Sequence, residues 1–161
     1  MRLAAITWFV AVALILGQTG VTRAAGARSG NKLKGQIVVS DEVIPTFDDE
    51  TKMAEILKKW KKTDIERAKD ASSWLFRMMS FPSAKPGTTT LSLLFYDVSD
   101  GKRVYLTSKD ISCDAAATIL ASEVEVSEED GIKPGMKVEL ALAKISGDRQ
   151  TELATARLTF K

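Results

Sequence analysis

The chain has 161 residues, 23 basic and 21 acidic side chains, no histidine and a single cysteine. The missing histidine excludes Ser-His-Asp and Cys-His nucleophile systems, histidine general bases and the usual zinc and copper sites. An enzyme would be left with paired carboxylates, a Ser-Lys arrangement or a carboxylate-bound hard cation.

Residues 1–27 read as a cleaved signal peptide. A short basic start at Arg2 precedes an uncharged apolar run from Ala4 to Gly17, and Ala25-Gly26-Ala27 supplies the small-x-small pattern of a cleavage site. The 14-residue run is shorter than the ~20 residues a membrane-spanning helix needs, so no stable membrane anchor is expected after cleavage. No cysteine stands near the junction for lipid attachment. Arg2 and Arg23 are the only charges in the segment, so the mature chain balances 21 basic against 21 acidic side chains. A neutral chain has no global field to steer it to nucleic acid, and no nucleic-acid partner is expected. Cys113 has no partner for an internal disulfide, and Asn31, the sole asparagine, opens no glycosylation acceptor. Both features point to a bacterial periplasmic or secreted protein whose core must supply its stability.

Residues 28–34 form a polar, glycine-containing lead-in, and residues 35–161 read as one domain. Gly35 to Ser40 is a β-branched run and a first strand. From Phe47 the period changes: Met53, Ile56, Leu57 and Trp60 recur at helical spacing. Asp48, Asp49 and Glu50 open that helix, and Lys58, Lys59, Lys61 and Lys62 end it, as the macrodipole favours. Thr46 or Asp48 is the expected cap. Residues 63–70 read as a continuation or a polar connection. Strands follow at Trp74–Phe81, Thr89–Val98, Arg103–Ser108 and Thr118–Val126, then at the alternating stretches Lys137–Leu142 and Ala154–Phe160. Ser99-Asp100-Gly101-Lys102 is a signal for a type I′ hairpin.

Seven short strands with one amphipathic helix between the first two predict a mainly β fold, an antiparallel β-sandwich. The approach Lys133-Pro134-Gly135-Met136 to an alternating strand resembles the penultimate strand of immunoglobulin-like and fibronectin-like sandwiches. That resemblance covers only those few residues, and no Cys…Trp…Cys pattern accompanies it.

No residue stands out as catalytic, cofactor-binding or metal-binding. The acidic cluster Glu123, Glu125, Glu128, Glu129 and Asp130 could offer oxygens to calcium, yet it lacks the alternating ligands of an EF-hand and reads as a solvated face. The lysines around Trp60 read as a favourable helix end rather than a membrane-surface patch. Trp74, Phe76, Met78, Met79 and Phe81 read as core on both faces of a covered strand. Ser83 with Lys85 and Ser108 with Lys109 are too generic to carry chemistry, and the paired carboxylates Asp48 with Asp49 and Asp97 with Asp100 can be ranked only by their geometry. Cys113 reads as a small apolar filler, with Asp114 opposing thiolate formation. The expectation is an exported, non-catalytic binding or structural module whose partner is a protein or an envelope component. A histidine-free carboxylate hydrolase and an accessory subunit of an envelope or secretion assembly are the alternatives.

Overall fold

The computed structural model describes residues 32–43, 50–69 and 71–161. The expected signal peptide, most of the lead-in, the capping candidates Thr46 and Asp48, and Asp49 lie outside the described residues. The elements are β1 (Gln36–Ser40), α1 (Glu50–Trp60), β2 (Asp64–Ile65), β3 (Ser73–Phe81), β4 (Thr90–Asp97), β5 (Val104–Ser112), β6 (Leu120–Ser127), a 3₁₀ turn (Glu128–Asp130), β7 (Lys137–Ser146) and β8 (Arg149–Phe160). Among the described residues no helix is long and apolar enough to cross a membrane.

The strands form one mixed sheet of eight in the order β5-β4-β7-β8-β1-β3-β6, with β2 joined to β8, and the sheet curls until it is nearly barrel-shaped. Two features of the sequence reading need correction. Among the described residues there are eight strands, not seven, because the connection after the helix contributes Asp64 and Ile65. Nor is the sheet wholly antiparallel: β1 meets β8 in parallel at Gln36 and Thr155, and β2 runs parallel to the end of β8. The physical reason is the length of β8. Its 12 residues outrun the pairing available from β1, and the chain leaving α1 lays Ile65 beside Phe160, where both side chains are fully buried. A two-residue strand has no periodicity to read.

Period-2 alternation places the rest. Trp74, Phe76 and Met78 of β3 point inward with Leu91, Leu93 and Phe95 of β4, Val138, Leu140 and Leu142 of β7, and Leu158 and Phe160 of β8. Trp74 meets Phe160 edge-on at 5.5 Å between ring centroids, and its indole N–H donates to the Lys161 carbonyl at 2.7 Å. The outer residues of β3, Met79 and Phe81, pack with Val38 against Met53 and Leu57 of α1. Both faces of β3 are therefore used, as its composition implies. Ile56 and Trp60 of the helical stripe are only half-buried.

The two end strands, β5 and β6, come round towards each other. Lys109 of β5 shares the inward side of its strand with Ile111, whose β4 partner is the core residue Leu91, and its ammonium crosses to Asp130 in the 3₁₀ turn after β6, at 2.9 Å. An inward charge on an end strand discourages the addition of a further strand.

Candidate functional site

Residues directly opposite in a sheet point to the same side, so register alone assembles the outer surface. Tyr105 faces Tyr96, Tyr96 faces Glu139, and Glu139 faces Arg157, a row across β5, β4, β7 and β8. A bulge between Phe95 and Tyr96 shifts the β4–β5 pairing by one residue and brings the two tyrosines together. Their rings meet edge-on at 5.9 Å, a favourable aromatic geometry. Leu94, Ala141 and Ala143 pack beside Tyr96 as a buried apolar floor.

Arg103, the last residue before β5, lies over this row. Its guanidinium carbon is 3.9 Å from the Tyr96 ring centroid, a cation–π contact. Its Nε bonds Glu139 at 3.0 Å and its Nη1 bonds Glu152 at 2.7 Å. Arg157 Nε takes the other Glu139 oxygen at 2.7 Å. The Gln150 amide donates to the Tyr96 hydroxyl and to Glu152, each at 3.1 Å. Partial burial works against the Arg103 charge, but the hydrogen bond and charge of Glu152, with Glu139 and Tyr96, hold its pKa above the ordinary value. Single exposed ion pairs are worth only ~0–1 kcal/mol, so this network serves to fix orientation more than to add stability. It leaves Val104 and Tyr105 each more than half exposed, at 56% and 55%. Aromatic and arginine side chains held rigid on a surface are the types that dominate protein interfaces.

Beside the platform runs a groove of about 370 Å³, walled by the β4–β5 loop and floored by the start of β7 and the end of β8. The loop differs from the expected two-residue turn. Pairing stops at Asp97 and resumes at Val104, so residues 98–103 form the connection. Gly101 takes φ 75° and donates its N–H to the Val98 carbonyl. The Ser99 N–H donates to Asp97 Oδ1 at 2.8 Å, and the Ser99 hydroxyl and backbone draw the Asp97 pKa below its usual value. Lys137 N–H donates to the Ser99 hydroxyl at 3.1 Å, and Val98 N–H to the Lys137 carbonyl at 2.9 Å. These bonds fasten the loop to β7 and hold it over the groove.

The residues weighed from the sequence are scattered. Glu123 pairs with Arg77, Glu128 with Arg67 and Asp130 with Lys109, while Glu125 accepts from the Ser73 hydroxyl. Glu129 is exposed. The acidic cluster thus disperses to four partners, and among the described residues no group of three or more candidate ligands could hold a metal ion. Asp97 bonds Ser99, while Asp100 is exposed. Ser83 and Lys85 lie exposed in the β3–β4 loop. Ser108 accepts from the Tyr105 hydroxyl at 3.2 Å, and Lys109 is committed to Asp130. Cys113 is half-buried, its thiol 3.3 Å from the Thr88 carbonyl, with its pKa raised by burial and by Asp114. None of these considerations singles out Tyr96, Arg103, Tyr105, Glu139, Glu152 or Arg157. Their signal is cross-strand register, which one strand at a time does not carry.

No protein-family model matches the chain, and no curated protein or solved structure shows significant similarity to it.

Proposed function

We propose that this protein is an exported, non-catalytic binding module, with residues 1–27 as its cleaved signal peptide and 35–161 as its single β domain. The observation that carries the binding reading is the platform: two tyrosines and an arginine held on an outer sheet face by carboxylates, with Tyr105 left open. Rigid aromatic side chains lose little conformational freedom on contact, which favours their use in recognition. The partner class is a protein or envelope component outside the cytoplasm. Two observations speak for this reading over a carboxylate hydrolase, which needs a pair of acids open to substrate. The acidic cluster around β6 is dispersed to separate partners, and Glu139 and Glu152, which do converge, are both held by the Arg103 guanidinium. The inward Lys109 of β5 speaks against assembly by strand addition at that edge.

Two measurements test it. Mass spectrometry of the protein from its native host should find a chain beginning near Arg28, and a product starting at Met1 refutes export by cleavage. Crosslinking in the native envelope and medium fractions should yield a defined adduct that is lost from Tyr105→Ala with the fold intact. An adduct pattern unchanged by that substitution removes the platform from the proposal.

A further inference from the structure

The groove beside the platform has its own chemistry. Lys102, Arg103, Lys137 and Arg157 line it, against Glu139 alone. Glu139 is divided between the two arginines, and Arg103 also holds Glu152. Counting both glutamates leaves a surplus of two positive charges. Lys102 and Lys137 make no ion pair among the described residues. Arg157 spends only its Nε on Glu139, so its terminal nitrogens stay uncommitted. Thr63 and Thr159 add hydroxyls, while Val98 adds apolar wall. The mature chain being neutral, this surplus is a local feature of the site and not a share of a general basicity.

We propose that the groove binds a phosphomonoester. A phosphomonoester carries close to two negative charges at neutral pH, matching the surplus, and its three oxygens suit arginine forks, lysines and hydroxyls together. The groove volume falls in the range of small-ligand sites, which leaves room for a small organic body against Val98 beside the phosphate. This inference deepens the binding-module reading and rests on it. The monoester has two possible sources, a soluble metabolite or an exposed lipid headgroup.

The test follows backbone amide shifts of the mature chain at low salt during titration with glycerol 3-phosphate, with glycerol as the uncharged control. A parallel arm measures co-sedimentation with phosphatidylcholine vesicles, with and without phosphatidic acid. The expected result is a saturable shift of Gly101, Lys102, Lys137 and Thr159, with none for glycerol. Affinity should fall about tenfold in Lys102→Ala/Lys137→Ala, a loss of about 1.4 kcal/mol. Arg157→Gln should weaken it independently, which guards against a misfolded double variant. Saturation by glycerol 3-phosphate without vesicle binding assigns the soluble source, and phosphatidic-acid-dependent sedimentation lost in the double variant assigns the lipid. Absence of both, or an affinity untouched by the double variant, overturns the proposal. Tyr105→Ala should keep phosphomonoester binding while losing the crosslinked partner, so each reading can fail without the other.

Discussion

Replacing Asp130 by asparagine tests how the curled sheet is held at its seam. Asp130 accepts from Lys109 Nζ at 2.9 and 3.1 Å and from the Ser127 N–H at 3.0 Å. The Thr107 hydroxyl stands 3.5 Å away, at the limit of a hydrogen bond. The Asp130 side chain is 19% exposed and that of Lys109 35%, so solvent screens the ion pair in part and its share is ~0.5–1 kcal/mol. The charged bond from the Ser127 N–H adds ~1–1.5 kcal/mol, of which an amide oxygen recovers some. Asp130→Asn should therefore cost about 1.5–2 kcal/mol at neutral pH, measured by urea unfolding with tryptophan fluorescence. Burial alone would raise the Asp130 pKa, but the bonds from Lys109, Ser127 and Thr107, with the Lys109 charge, together hold it below the usual value. A carboxyl depressed in the folded state contributes stability above its unfolded pKa of ~3.9, and that contribution fades as pH falls through the folded value. The gap between parent and variant should thus be flat from about pH 5 to 7 and narrow below ~4. A cost under ~0.5 kcal/mol, or a gap that acid leaves unchanged, would refute the seam argument.

Three further substitutions probe the packing. The Ser80 hydroxyl is fully buried with no hydrogen-bond partner among the described residues, so Ser80→Ala should be neutral or stabilising by up to ~1 kcal/mol, and a loss of more than ~1 kcal/mol in urea unfolding would refute the idle-hydroxyl reading. Trp74→Ala should cost ~3–5 kcal/mol because the indole is fully enclosed, whereas half-buried Trp60 should cost under ~2. Equal losses at the two positions in the same assay would show that helix and barrel do not differ in packing as described.

The elements that alternate strictly were legible one by one. Val138, Leu140 and Leu142 against Lys137 and Glu139 announce β7, and the structure starts that strand at Lys137. The helical stripe is equally plain, though only Met53 and Leu57 of its four large residues are buried, because a helix of 11 residues lying on the outside of a curled sheet presents a narrow line of contact. The order of the strands was not legible. A sandwich and a curled single sheet demand the same inward alternation, and the choice between them rests on pairings such as Gln36 with Thr155 and Ile65 with Phe160 that join residues far apart in sequence. Local pattern carries no information on such partners.

The candidate site is hidden for a related reason, and its construction shows why single-strand reading misses it. Tyr96 looks like an ordinary outer residue of a β-rich strand, Glu139 like an ordinary polar alternation, and Arg157 like another. Only the pairing of β4 with β7 and of β7 with β8 puts the three in line. The loop compounds this. An Asp-Gly pair suggests the shortest hairpin, but Asp97 and Ser99 form a side-chain-capped bend first, which delays the return strand to Val104 and lifts Arg103 out of the ladder. Freed from the ladder, Arg103 folds back over Tyr96 and meets Glu139 and Glu152 at once. The same six-residue excursion walls the cationic groove. A chain with the expected two-residue turn would have neither Arg103 over the tyrosine nor Lys102 beside Lys137, so the platform and the groove share a single local cause.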